Sequence, residues 1–315
     1  MSDFDESEHP RDEDGRFTFK DMANAAVLVG HTDFLKLSDK EKLQVIKNAR
    51  EQGKDSQKLH TNPETGQFTK ERQEIHEAAI NKFLGKGTSN EKTVYMLGGA
   101  PANGKSTVEN SGFLNMPDLD LVNADELKAE LPEYKALTKI KDRDGATFVH
   151  EESSYMSKVL MDRIMKSGKG MILDGVNDGG YDKLLKKIDT YKSHGNKIVA
   201  NYVSLDTEQS LVNAELRGRK NGRFVPLNVL LENNSEVSKL VPKLVADKVF
   251  DDFSLWDTNT NGKPLLVLSQ KKGVTTMHDQ AAYDRFLSKA NYVYDENSYN
   301  KKLKEAEERE KAKKK

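Results

Sequence analysis

The run Gly99-Ala100-Pro101-Ala102-Asn103-Gly104-Lys105-Ser106 fits G-x-x-x-x-G-K-[ST], the pattern of a loop built to hold phosphate. A triphosphate needs hydrogen-bond donors on several sides, so main-chain N–H groups must converge on it. Gly99 and Gly104 permit the backbone angles and the close approach this demands. Ala100 and Asn103 complete the cradle, and a helix starting at Lys105 adds the partial positive charge of its N-terminus. Lys105 can reach the β- and γ-phosphates, the Ser106 hydroxyl suits Mg²⁺, and Thr107 is placed for the α-phosphate. The expected ligand is ATP or GTP with Mg²⁺. A plain glycine-rich turn before a helix is the other reading.

Phosphorylating a hydroxyl needs a carboxylate near the acceptor and usually a second acid near the metal. Val122-Asn123-Ala124-Asp125-Glu126 and Met171-Ile172-Leu173-Asp174-Gly175 each place an acid after an apolar run. The second resembles a Walker B element. For Asp125 the spacing fits a helix N-cap before Glu126-Leu127-Lys128 equally well. For Asp174 the alternative is a strand-end turn with Gly175.

Arg217-Gly218-Arg219-Lys220-Asn221-Gly222-Arg223 is basic and punctuated by glycine. Guanidinium groups stabilise the charge of a phosphoryl group in transfer, and a glycine-hinged segment could close over a nucleotide as a lid. A solvated basic loop or a nucleic-acid contact is the alternative. His150-Glu151-Glu152 opens a helix, where acids help in any case.

These groups need elements to position them. Lys70–Phe83 reads as an amphipathic helix. Thr93–Leu97, Asp118–Asn123, Met171–Leu173 and Lys197–Val203 read as strands. Between them, Ala146–Lys166 reads as one helix ended by Gly168, and Tyr181–Tyr191 as another. Asp206 or Thr207 caps the helix carrying Leu211 and Leu216. Beyond residue 225 come two helical stretches, strands at Ser254–Trp256 and Leu265–Leu268, and a last ordered helix around Ala281–Leu287. Strands alternating with helices predict an α/β fold: a P-loop kinase core with a mainly parallel sheet flanked by helices, plus helical N- and C-terminal extensions. Parallel strands deliver their C-terminal ends, and hence both acids, to the rim that holds the phosphate loop. The expected domains are an N-terminal extension over 1–69, a kinase domain over 70–270, and a C-terminal helix with a charged tail over 271–315.

The chain has 315 residues, a net charge of −1 and no cysteine. Near-neutral charge argues against nucleic acid as a partner. The absence of cysteine removes disulfides, thiolate zinc sites and cysteine nucleophiles, and suits a reducing cytosol. No window approaches a membrane span and no secretory leader is present, so the expectation is a soluble cytoplasmic protein. Residues 1–20 carry seven acidic and three basic side chains and read as a flexible tail. Lys301–Lys315, with eight basic and four acidic residues, reads as a solvated, frayed helix. Residues 9–18 and 60–69 share H-x-x-x-E-x-G-x-F-T, a pattern suited to a tight turn leading into an extended stretch.

Five segments, in this order, resemble the zeta toxin family of P-loop kinases: GAPANGKST (Gly99–Thr107), VNADELK (Val122–Lys128), HEESSYMSKVL (His150–Leu160), ILDG (Ile172–Gly175) and RGRKNGRFVP (Arg217–Pro226). The family phosphorylates the amino-sugar hydroxyl of UDP-N-acetylglucosamine and is held in check by an antitoxin. The resemblance implies Lys105 and Ser106 at the phosphates and Mg²⁺, Asp125 as the base, and Glu151 as a substrate-side acid. It implies Asp174 where the family usually has Glu, Val176 where typical toxins have Thr, and Arg217 and Arg223 on the phosphates, with Arg219 a competitor. The EHPRDEDGRF segment is similar to stretches in phage head-associated proteins, which implies phage head proteins as partners and a virion location as a second setting. The other readings are a kinase of nucleosides, nucleotides or another small hydroxyl compound, and a non-enzymatic virion protein keeping an old phosphate loop.

Overall fold

The computed structural model describes residues 34–114, 116–175, 180–260 and 263–313. The acidic tail, the first copy of the repeated motif, the phage-like segment and Val176 lie outside the described residues. The chain divides into two compact units, residues 1–73 and 74–315.

In the first unit, α1 (Asp39–Glu51) starts at a full capping box between Ser38 and Glu41. Asp55 caps α2 (Ser56–Leu59). The second motif copy then forms the expected turn: Asn62 Oδ1 accepts from the N–H groups of Glu64 and Thr65, Gly66 takes φ +68°, and Thr61 bridges Phe68 in antiparallel fashion. The helix α3 (Lys70–Ile80) runs across the boundary between the units.

The second unit is built on a seven-stranded sheet ordered β2-β3-β1-β4-β5-β6-β7. Its strands are β1 (Thr93–Gly98), β2 (Asp120–Asn123), β3 (Met171–Asp174), β4 (Lys197–Ser204), β5 (Asp252–Asp257), β6 (Leu265–Lys271) and β7 (Val274–Met277). The first five pair in parallel, and β6 and β7 add on antiparallel. Val94, Met96, Ile198 and Ala200 are fully buried, as expected for parallel strands covered on both faces. The connecting helices are α4 (Lys105–Asn110), α5 (Ala124–Glu130), α6 (Pro132–Lys139), α7 (Gly145–Phe148), α8 (His150–Lys166), α9 (Tyr181–Ser193), α10 (Thr207–Asn221), α11 (Leu227–Ala246), α12 (Gln280–Ser288) and α13 (Glu296–Lys313).

Four expectations need correction. The single helix over 146–166 is two, broken at Val149, which leaves helical geometry at φ −106°, ψ 7°. The two helical stretches after residue 225 are one, α11, with Pro242 inside it. Proline removes one N–H from the ladder, and burial of Val237, Val241 and Leu244 outweighs that loss. The last ordered element is α13, not the helix around Ala281–Leu287. Nor is α13 solvated throughout: Leu303 is buried, and Lys302 pairs with Glu208 at 2.6 Å on α10 and with its cap Asp206 at 3.3 Å, while residues 308–312 are exposed as expected.

Candidate active site

The order β2-β3-β1 sets three strand ends side by side, with Leu97 opposite Asp174 and Asp174 opposite Asn123. The loop after β1 is the predicted phosphate cradle. Gly99 takes φ +126°, and a Cβ there would stand 2.4 Å from the Val203 carbonyl oxygen. Gly104 takes φ +87° and leads into α4. Both are conformations that L side chains rarely adopt, which explains glycine at each. Ala102 also has positive φ, at +61°. Lys105 Nζ donates to the Gly99 carbonyl at 3.2 Å and lies 3.9 Å from Asp174 Oδ1. Ser106 and Thr107 are exposed in the first turn of α4, while Ala100 is buried. Asn103 is 2% exposed and its amide points inward to Asn234, so only its main chain can serve a phosphate.

Asp174 ends β3 with one oxygen committed, accepting from Asn123 Nδ2 at 2.6 Å. Its Oδ1 is buried and finds no hydrogen-bond donor among the described residues. Burial raises its pKa, with Asp125 and Glu126 adding to the rise and Lys105 opposing it. Glu109 on α4 is also held above the usual carboxylate range, first by burial and then by Asp174.

Asp125 is not the cap of α5. Asn123 is, accepting from the N–H groups of Asp125 and Glu126 at 2.8 and 3.3 Å. That frees the Asp125 carboxylate, which accepts from Lys128 Nζ at 3.1 Å and lies 3.6 Å from Arg223. The Asp125 side chain is 52% exposed, so an acceptor can reach it. Desolvation alone would raise its pKa, but Lys128, Arg223 and Arg217 together hold it below the usual value.

The arginine segment is not a hinged loop. Arg217–Asn221 complete α10, and Gly222 ends it in the left-handed region at φ +76°. A Cβ on Gly218 would meet the Phe224 ring at 2.2 Å, and one on Gly222 the Thr138 carbonyl oxygen at 2.3 Å. These glycines allow close packing rather than lid motion. Phe224 is sandwiched between Gly218 and the Arg143 guanidinium, 4.5 Å from the ring centre. The fold-back sets Arg223 beside Arg217 and near the Tyr134 hydroxyl on α6. Burial, then Arg223, lowers the pKa of Arg217, and its buried Nε has no acceptor among the described residues. Arg219 turns away, pairing with Glu215 at 2.7 Å and Glu307 at 2.5 Å.

The structure thus gathers Lys105 with Asp174, and Asp125 with Arg217 and Arg223, linked through Asn123. Glu151 stays outside these contacts, exposed in the first turn of α8, while its neighbour Glu152 is buried 2.6 Å from His76. Asn123, Lys128, Glu109 and Tyr134 were given no role from sequence. Lys128 alone had a local signal, standing one helical turn from Asp125. No group of three or more acids or histidines placed to hold a metal occurs among the described residues, and no described helix is long and apolar enough to cross a membrane.

The sequence model of the zeta toxin family matches residues 79–263. Toxin zeta of Enterococcus hirae and toxin zeta of Streptococcus pyogenes are each 24% identical over 92 residues, 29% of this chain. The matched segment spans about a third of the length of these curated relatives (32%). A chain of the AvrRxo1-ORF1:AvrRxo1-ORF2 crystal structure with ATP superposes with a TM-score of 0.57 at 18% identity, covering 77% of this chain and 84% of its own. A structure from the PezAT chromosomal toxin–antitoxin system of Streptococcus pneumoniae gives 0.51 at 17% identity, covering 76% and 97%. These likenesses establish the fold, a P-loop kinase-like α/β core.

Proposed function

The chain belongs to the zeta toxin family, and on that premise we propose that it is a kinase passing the γ-phosphoryl group of ATP or GTP to a hydroxyl of a UDP-amino sugar. The observation that carries this reading is the Asp125 carboxylate, half-exposed and ionised beside two arginines and on the same strand-end rim as the cradle around Lys105.

In this reading the main-chain amides of 99–107 and the Lys105 ammonium bind the β- and γ-phosphates. Asp125 orients the acceptor hydroxyl and takes its proton as the new O–P bond forms and the bond to the β-phosphate oxygen breaks, releasing the nucleoside diphosphate. Its depressed pKa makes it a weak base, which suits a loose transition state in which the phosphoryl group is nearly free before the acceptor proton leaves. The guanidinium of Arg217, with its uncommitted Nε, and that of Arg223 face the charge on the moving group.

Mg²⁺ fits the residues present. Asp174 offers a buried carboxylate oxygen with no hydrogen-bond donor among the described residues, and Ser106 an exposed hydroxyl. When bound, the ion neutralises phosphate charge. Glu151 is a weaker candidate for the sugar side, supported by its place in the family motif. An antitoxin that blocks the nucleotide site is the partner we propose, because PezAT is a toxin–antitoxin system.

Incubation with γ-labelled ATP or GTP, Mg²⁺ and UDP-N-acetylglucosamine tests the reading. Label should move to the sugar nucleotide. Label moving instead to another hydroxyl compound in a metabolite panel would replace the acceptor and keep the kinase. No transfer to any acceptor, with nucleotide still bound, would overturn the reading.

A further inference from the structure

Asn234 lies on the inward face of α11, among Leu230, Val237, Ser238 and Val241. It is 1% exposed. An apolar residue would pack there without the cost of burying an amide, so the asparagine needs a reason. Its hydrogen bonds supply one. Asn234 Oδ1 accepts from Asn103 Nδ2 at 3.3 Å, and Asn234 Nδ2 donates to Ser210 Oγ at 3.1 Å and to the Leu230 carbonyl at 2.9 Å.

Asn103 sits between two residues with positive φ, Ala102 and Gly104, in a stretch with no strand or helix ladder to hold it. Its other amide atom, Oδ1, is buried without a partner among the described residues, so Asn234 is what orients the side chain. The main chain of Asn103 is held separately: the Thr258 hydroxyl lies 2.7 Å from its carbonyl oxygen and 3.1 Å from that of Ser204, sharing one proton between them. A loop that must present several N–H groups to one phosphate cluster at fixed angles gains affinity from being set before the ligand arrives.

We propose that Asn234 is a positioning residue for the phosphate-binding loop, acting through Asn103. The inference rests on the kinase reading of that loop. It also links the cradle to α10, since Ser210 and Arg217 share that helix.

The test is a double-mutant cycle on the full chain: wild type, Asn103→Ala, Asn234→Ala and the double variant. Kd for Mg-ATP and Mg-GTP, kcat, the acceptor KM and the thermal midpoint are measured for each. Either single change should weaken triphosphate binding about tenfold and leave the acceptor KM in place, with the double variant within about threefold of the worse single one. Fold-changes that multiply in the double variant overturn the proposal. So does Asn234→Ala that lowers the thermal midpoint while nucleotide affinity holds, which is what a merely structural amide would do. If Asn234→Ala does not fold, Asn234→Ser is read the same way. Wild type that binds neither triphosphate overturns the kinase reading and this inference with it; wild type that binds, followed by multiplying fold-changes, overturns this inference alone.

Discussion

Asn123 and Asp174 are register partners across β2 and β3, and their side chains are joined by a 2.6 Å hydrogen bond from amide to carboxylate. The opposite end of the same amide caps α5 and so sets where Asp125 stands. One side chain therefore fixes both acids, one by each of its polar atoms.

Asn123→Asp keeps the cap but turns the bond to Asp174 into repulsion between like charges. Transfer should fall about 10- to 100-fold. Asn123→Ala loses the cap as well and should cost about 1 kcal/mol of stability. Steady-state rates beside urea unfolding separate the two; wild-type transfer by Asn123→Asp would show that the amide only holds the helix.

Lys105→Ala removes the cation between the Gly99 carbonyl and Asp174. Triphosphate affinity and turnover should drop together, each by about 10- to 100-fold. Calorimetric titration with Mg-ATP and Mg-GTP checks the first and labelled transfer the second. Affinity that survives intact would place the phosphates elsewhere.

Asp174→Asn should separate stability from function. The folded pKa of Asp174 is raised, chiefly by burial. Protonated Asp174 is thus favoured in the fold, and its stabilising share is complete below the unfolded value and lost as pH rises through the folded one. The variant should match wild type at pH 3 and melt higher at pH 7, yet transfer far less. Melting curves across that range test the sign, and a wild type that melts higher at pH 7 would refute it.

Much of this site was legible in sequence because its geometry is local. The glycine-lysine spacing specifies the cradle, and parallel strands bring Asp125 and Asp174 to the cradle's rim wherever helices alternate with strands. What could not be read depends on distant partners. Gly218 and Gly222 look like hinges until Phe224 and Thr138 fill the space beside them. Asn123 acquires its second role only from the β2–β3 register. The strand β7 is exposed along its whole length, so it leaves no alternating pattern to detect. The charge run over 301–315 reads as solvated because its pairing residues, Glu208 and Arg219 among them, lie about ninety positions away on α10.

Leu303→Ala removes the apolar anchor of α13 and should cost about 2 kcal/mol. A denaturation midpoint unchanged from wild type would return α13 to the status of a solvated helix.

The most direct measurement is single-turnover transfer from γ-labelled ATP or GTP to UDP-N-acetylglucosamine by wild type and Asp125→Asn, with nucleotide Kd measured on the same samples. The account predicts equal nucleotide affinity and a loss of transfer of about 10²- to 10⁴-fold, because the acceptor keeps its donor and loses its base. Transfer at the wild-type rate, or nucleotide affinity collapsing in step with it, would contradict a catalytic Asp125.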